Sequence, residues 1–165
     1  GAPLRRLTLP RASWIFPSGR SEMAFLHQRY GIDNRRMSIV RPPVDTSVFR
    51  PLLRNSACAY AGLDPQKRYW LFIGRFDDAV KRISTIISCF AEVSKNHPEL
   101  ELLIAGSGQD EQRIAKMIDA LPQGSVRLLG WVADDVHKVN LLNAAECLVL
   151  ASKREGFPKI GRAHV

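Results

Sequence analysis

Four strand-length apolar runs constrain this chain more than any other feature: Tyr69-Trp-Leu-Phe-Ile73, Leu100 to Ala105, Val126 to Leu129 and Cys147 to Leu150. A strand with one wet face alternates apolar and polar side chains, so continuous apolar runs imply strands covered on both faces. Between them the period changes to three and four. Ile83, Ile86, Ile87, Phe90 and Val93 mark one amphipathic helix that ends near Asn96, His97 and Pro98. Ile114, Met117, Ile118 and Leu121 mark a second, stopped by Pro122, and Asp134 or Asp135 can cap a third. The order β-α-β-α-β-α-β predicts an α/β fold, a Rossmann-like doubly wound parallel sheet.

The chain before residue 67 reads differently. Residues 13–16 form a short apolar run closed by Pro17, residues 18–30 carry Met23, Leu26 and Tyr30 at helical spacing before Gly31, and residues 37–40 form a second short run before Pro42 and Pro43. Residues 46–66 contain Pro51 and Pro65 with turn-forming Asn55 and Asp64 and no sustained apolar period, which reads as a linker. The expected organisation is therefore a piece of one domain over 1–45, a linker over 46–66, and a second domain over 67–165.

Charge separates the same regions. The first 54 residues hold ten arginines against Glu22, Asp33 and Asp45, a net +7, whereas the remaining residues nearly balance. That patch could face phosphate, nucleic acid or a membrane, or be a solvated basic face; the arginines stand singly or in pairs with few aromatics between them, so nucleic acid is not expected. With 45% hydrophobic residues among 165, and no run of about 18 apolar residues, the chain reads as globular without a membrane span. Cys58, Cys89 and Cys147 are unpaired in spacing, which argues against a disulfide framework or zinc site and favours a reducing, cytoplasmic setting.

In a doubly wound sheet, ligands sit beyond the carboxyl ends of the strands. After the first strand come Gly74, Arg75 and Lys81, two cations that could hold one anion; alternatively Arg75 pairs with Asp77 or Asp78. Gly106-Ser-Gly108 follows the second strand, but Glu111 stands where a dinucleotide fingerprint needs its third glycine, so the pair promises a tight turn with amides available to a phosphate. After the fourth strand, Glu155-Gly-Phe-Pro158 places a carboxylate among basic residues, suited to sugar hydroxyls or to an ion pair with Arg154 or Lys153.

Taken together, Val44-Asp-Thr-Ser-Val-Phe-Arg-Pro51, Phe72-Ile-Gly-Arg75 with Lys81, Leu102-Leu-Ile-Ala-Gly-Ser-Gly108 after His97-Pro98, Leu129-Gly-Trp-Val132, and Leu148 to Ser152 with Glu155-Gly-Phe-Pro158 resemble family 4 of the retaining glycosyltransferases in order and spacing. The resemblance implies a GT-B architecture and a nucleotide-sugar donor, UDP- or GDP-linked, used without a cofactor or bound metal. It implies that Arg75 and Lys81 hold the donor diphosphate. Glu155 would lie near the donor sugar, Val132 near the nucleobase, and Gly74, Gly106, Gly108, Gly156, Phe157, Pro158, Lys159 and Ile160 around the donor. The acceptor would be a glycan or a lipid-linked molecule, with a peripheral membrane contact through the basic first third.

Two departures stand out. The family's second glutamate, eight positions after the first, is Ala163 here, and residues 161–165 do not continue its pattern. The chain thus reads as a fragment expected to have little transfer activity alone. The rival readings are a noncatalytic Rossmann-like module that binds nucleotide or phosphate, and a basic protein that binds nucleic acid or a membrane surface.

Overall fold

The computed structural model describes residues 6–41 and 43–153, which divide into two compact units at Pro43 and Val44. In the first unit, helix α1 spans Arg20–Tyr30. Its entry is fixed by Glu22, whose Oε2 accepts from the amide and hydroxyl of Ser18 at 2.8 and 2.7 Å, and its exit by Gly31 at φ 67. The two apolar runs expected as strands meet in parallel through a bridge between Ile15 and Met37. Leu26, Ile32 and Met37 form the small core beneath.

The second unit contains four parallel strands, β1 (Arg68–Ile73), β2 (Leu100–Ala105), β3 (Val126–Gly130) and β4 (Cys147–Leu148), in the order β3-β2-β1-β4. The helices are α2 (Arg54–Ala61), α3 (Ile83–Ser94), α4 (Glu111–Asp119) and α5 (Asp135–Ala144). One sheet face, through Tyr69, Leu71 and Leu103, packs on Ala57 and Cys58 of α2 and on Leu141, Leu142 and Ala144 of α5. The other, through Phe72, Leu102 and Ile104, packs on Ile83, Ile86, Ile87 and Phe90 of α3 and on Ile114 of α4. Each buried side chain of this size contributes about 1.5–3 kcal/mol, so coverage of both faces explains why the strands are predominantly apolar. No described helix is long and apolar enough to cross a membrane.

The stretch read as a linker is more ordered than expected. Within 46–66 lies α2, whose Ala57 and Cys58 are fully buried against the sheet, and whose end is set by Gly62 at φ 65. Small residues carry that contact, and no large apolar side chain repeats there to reveal the helix. Upstream, Asn143 of α5 accepts from the Leu52 amide at 2.8 Å and donates to the Arg50 carbonyl at 3.1 Å, fastening this segment to the same unit. Asp134, of the two candidates, caps α5 by accepting from the His137 amide at 2.8 Å.

Charged residues interrupt the apolar pattern inside two strands, at Glu101 of β2 and Arg127 of β3. Glu101 is 2% exposed within β2 and is held by Lys67 at 3.1 Å and by Arg127 of β3 at 2.8 Å. Leaving a buried charge unpartnered costs about 3–5 kcal/mol. The Lys67→Ala, Arg127→Ala double variant is therefore expected to lose about 3 kcal/mol in urea unfolding, and a loss under 1 kcal/mol would show the triad to be unimportant.

Candidate functional site

Connections from β1 to β2 to β3 run one way along the sheet, whereas β4 returns to pair on the other side of β1. The strand order reverses between β1 and β4, and the crevice beyond the carboxyl ends of that pair is where doubly wound sheets bind ligands. The loops after β1 and β4 leave from those ends.

After β1, the Gly74 amide continues the ladder to the Ala105 carbonyl at 3.0 Å. Arg75 is 70% exposed, and its Nη2 lies 3.1 Å from Asp77, so the ion pair weighed from the sequence forms with Asp77. Phe76 turns inward, 1% exposed, as its amide bonds the Ser107 carbonyl at 2.8 Å. A single helical turn, Asp78–Lys81, then leads to Arg82, the one non-glycine residue at positive φ among those described, at 54°. Lys81 is half-buried at the end of that turn.

The glycines after β2 answer to packing. A Cβ on Gly106 would stand 1.9 Å from the Gly74 carbonyl oxygen, and one on Gly108 would stand 2.5 Å from the Phe76 carbonyl oxygen. Both residues also take φ values, 144 and 155, that other residues rarely adopt. The Gly106 amide donates to the Gly130 carbonyl at 2.7 Å, so it is committed within the protein and not offered to a phosphate. After β3, Trp131 is 68% exposed while Val132 packs on the core formed by α2, α5 and the sheet.

After β4, the Val149 amide still bonds the Leu71 carbonyl at 2.8 Å, and the Lys153 amide donates to the Val80 carbonyl at 2.8 Å. The loop after the fourth strand thereby meets the turn that ends in Lys81. Glu155, Gly156, Phe157, Pro158, Lys159 and Ile160, with Ala163, lie outside the described residues.

Sequence reasoning missed a buried carboxylate beside this crevice. Asp78 accepts from the Ser84 amide and hydroxyl, both at 2.7 Å, and pairs with Arg113 of α4 at 3.2 Å, while Asp110 accepts from the Asp78 amide at 2.7 Å. Burial pushes the Asp78 carboxyl up, but the two Ser84 donors and the Arg113 charge outweigh it and hold the group below its ordinary range. Its only sequence signal is a pair of aspartates before a helix, because Arg113 is distant in the chain. Among the described residues no cluster of three His, Cys, Asp or Glu is arranged to hold a metal ion.

A parallel α/β sheet covered by helices on both faces, with its strand order reversing between β1 and β4, defines a Rossmann-like class of fold. The family model for "Glycosyl transferases group 1" matches residues 59–159, and the chain belongs to that family. It is 27% identical over 164 residues to a D-inositol 3-phosphate glycosyltransferase of Segniliparus rotundus, covering 94% of this chain and 36% of that protein. The chain thus spans about a third of that relative's length. Among solved structures, sucrose-phosphate synthase from Thermosynechococcus elongatus superposes with a TM-score of 0.83 at 21% identity, over 98% of this chain and 40% of that one. The Anabaena protein HepE, in complex with UDP and glucose, superposes with a TM-score of 0.80 at 14% identity, over 98% of this chain and 45% of that one. These likenesses establish the GT-B type of fold.

Two outcomes follow for the turn. A left-handed conformation costs a non-glycine residue about 1–2 kcal/mol, partly offset by the chain entropy that glycine loses. Arg82→Gly is expected to stabilise the chain by up to about 1 kcal/mol and to raise its melting temperature by about 2–4 °C; an unchanged or lower value would contradict a strained Arg82. The depressed Asp78 carboxyl contributes stability that is present above its unfolded value and lost as pH falls through its native one. In thermal melts, Asp78→Asn should therefore lie below the wild type at pH 7, with the gap narrowing as pH drops below 4; a gap constant with pH would contradict the ionised role.

Proposed function

We propose that this chain carries the donor-binding half of a retaining, family 4 type glycosyltransferase, which takes a UDP- or GDP-linked sugar and delivers it to a glycan or lipid-linked acceptor without a bound metal. One observation carries the reading: the Lys153 amide on the Val80 carbonyl, 2.8 Å, joins the loop after β4 to the turn between Arg75 and Lys81, at the switch point of the sheet. Glycosyl transfer from a nucleotide sugar leaves a nucleoside diphosphate carrying new negative charge. Cations preset beside it lower the barrier by stabilising the departing group more than the bound donor.

In this reading Arg75 and Lys81 neutralise the diphosphate in place of a metal cation. Glu155 faces the donor sugar, the backbone of Gly156, Phe157, Pro158, Lys159 and Ile160 cradles the phosphates, and Val132 borders the nucleobase. The partner of Arg75 is compatible with that role: a 70% exposed guanidinium paired with Asp77 keeps donors open to a second anion. HepE, bound to UDP and glucose on a similar fold, supports a nucleotide-sugar donor, and the inositol 3-phosphate relative supports a polyhydroxyl acceptor. The arginine-rich first third, +7, suits a contact with an anionic membrane surface on the cytoplasmic side.

Titration calorimetry with UDP and GDP tests the donor pocket. The wild-type chain is expected to bind at least one of them with or without a chelator, and Arg75→Ala and Lys81→Ala are each expected to weaken binding about tenfold with little change in melting temperature. Absence of binding, or variants indistinguishable from wild type, would overturn the assignment. Sugar transfer by the chain alone is expected to be negligible.

A further inference from the structure

We infer that Asp78 is a positioning residue for the donor diphosphate: its carboxylate locks the left-handed backbone at Arg82 and so fixes where Lys81 stands. The inference rests on the donor reading of the same crevice. Asp78–Lys81 is a single helical turn, which is too short to be stable by its own hydrogen bonds. Arg82 follows at φ 54, a conformation unfavourable to any side chain but glycine. Two unfavourable elements in succession persist only where the surroundings over-determine them.

Asp78 supplies that over-determination from both sides of the kink. Its carboxylate leaves from the first residue of the turn and grips the amide and hydroxyl of Ser84, the second residue of α3, at 2.7 Å each. The intervening residues, Lys81 and Arg82 among them, are therefore closed within a short hydrogen-bonded loop. Arg113 of α4 holds the same carboxylate at 3.2 Å, and Asp110, from the loop after β2, holds the Asp78 amide at 2.7 Å. The turn is thus braced against two other elements. Arg113 has a second effect. A bare carboxylate beside an anion site would repel a diphosphate, whereas one committed to a guanidinium and to Ser84 presents little net field. With 8% of its side chain exposed, Asp78 is placed to act through the backbone and not by touching the donor.

The inference is tested on this chain with Asp78→Ala, Arg82→Gly and their combination, measuring UDP and GDP dissociation constants by calorimetry alongside thermal melts. Asp78→Ala is expected to weaken binding about tenfold, and Arg82→Gly to leave it within about twofold. The double variant should recover most of the loss, because glycine adopts the left-handed conformation without a brace. Recovery of affinity between variants whose melts show each to be fully folded at the titration temperature is an outcome a merely stabilising Asp78 would not produce, because a stabilising change then has no unfolded fraction to restore. Should Asp78→Ala fail to fold, Ser84→Ala removes one bond only and is expected to weaken binding about threefold, again with recovery on adding Arg82→Gly. Unchanged affinity in Asp78→Ala or in Ser84→Ala, or a double variant as weak as the single, overturns the positioning role while leaving the donor reading intact. A wild-type chain that binds neither nucleotide overturns both.

Discussion

The carbonyl of Gly74 occupies the place where residue 106 would carry a side chain, and the strand-end geometry of the second unit depends on that contact. A sheet buried on both faces sends its polar backbone to the strand ends, where it must find partners or water. Here the ends of β1, β2 and β3 meet backbone to backbone, through the bonds from Gly74 to Ala105, from Gly106 to Gly130 and from Phe76 to Ser107. Glycine at 106 and 108 allows that approach. The rigid platform that results leaves Arg75 pointing outward while Phe76 is pulled in.

Against this platform the crevice between β1 and β4 is built from less regular parts. A four-residue turn, a left-handed arginine and a loop tied by one amide are elements that do not hold their shape alone. Their order comes from polar side chains. Asp110 ties the loop after β2 to the Asp78 amide, Asp78 ties the turn to the start of α3, and Arg113 reaches across from α4. Polar side chains thus do at the strand ends what apolar packing does between the layers, as expected where water competes for every hydrogen bond.

The parallel sheet and the three helices between its strands were legible in the sequence because apolar periodicity reports burial directly. Tyr69 to Ile73 and Ile83 to Val93 each announce their element without ambiguity. The helix over Arg54–Ala61 was not legible, since Ala57 and Cys58 bury too little area to generate a period, and prolines on either side suggested a linker. Buried Glu101 hid inside an apolar run because its partners lie 34 and 26 residues away. At the site, Arg75 and Lys81 could be picked out as cations after a strand, and the ion pair with Asp77 was among the expected alternatives. The Gly106-Ser-Gly108 turn was visible, but not its purpose: chemistry and close packing ask for the same residue, and only coordinates separate a committed amide from an available one.

The clasp of Asn143 on Arg50 and Leu52 bears on where this protein can be cut. By composition alone, residue 67 invites a truncation, since it opens the run of strands and helices. Removing everything before it would strip Ala57, Cys58 and Leu63 from one side of the sheet and bare Tyr69, Leu71 and Leu141 to water. A smaller version of the second unit should instead begin at Val44, where the strap, the helix and the face they shelter are kept together as one inheritance.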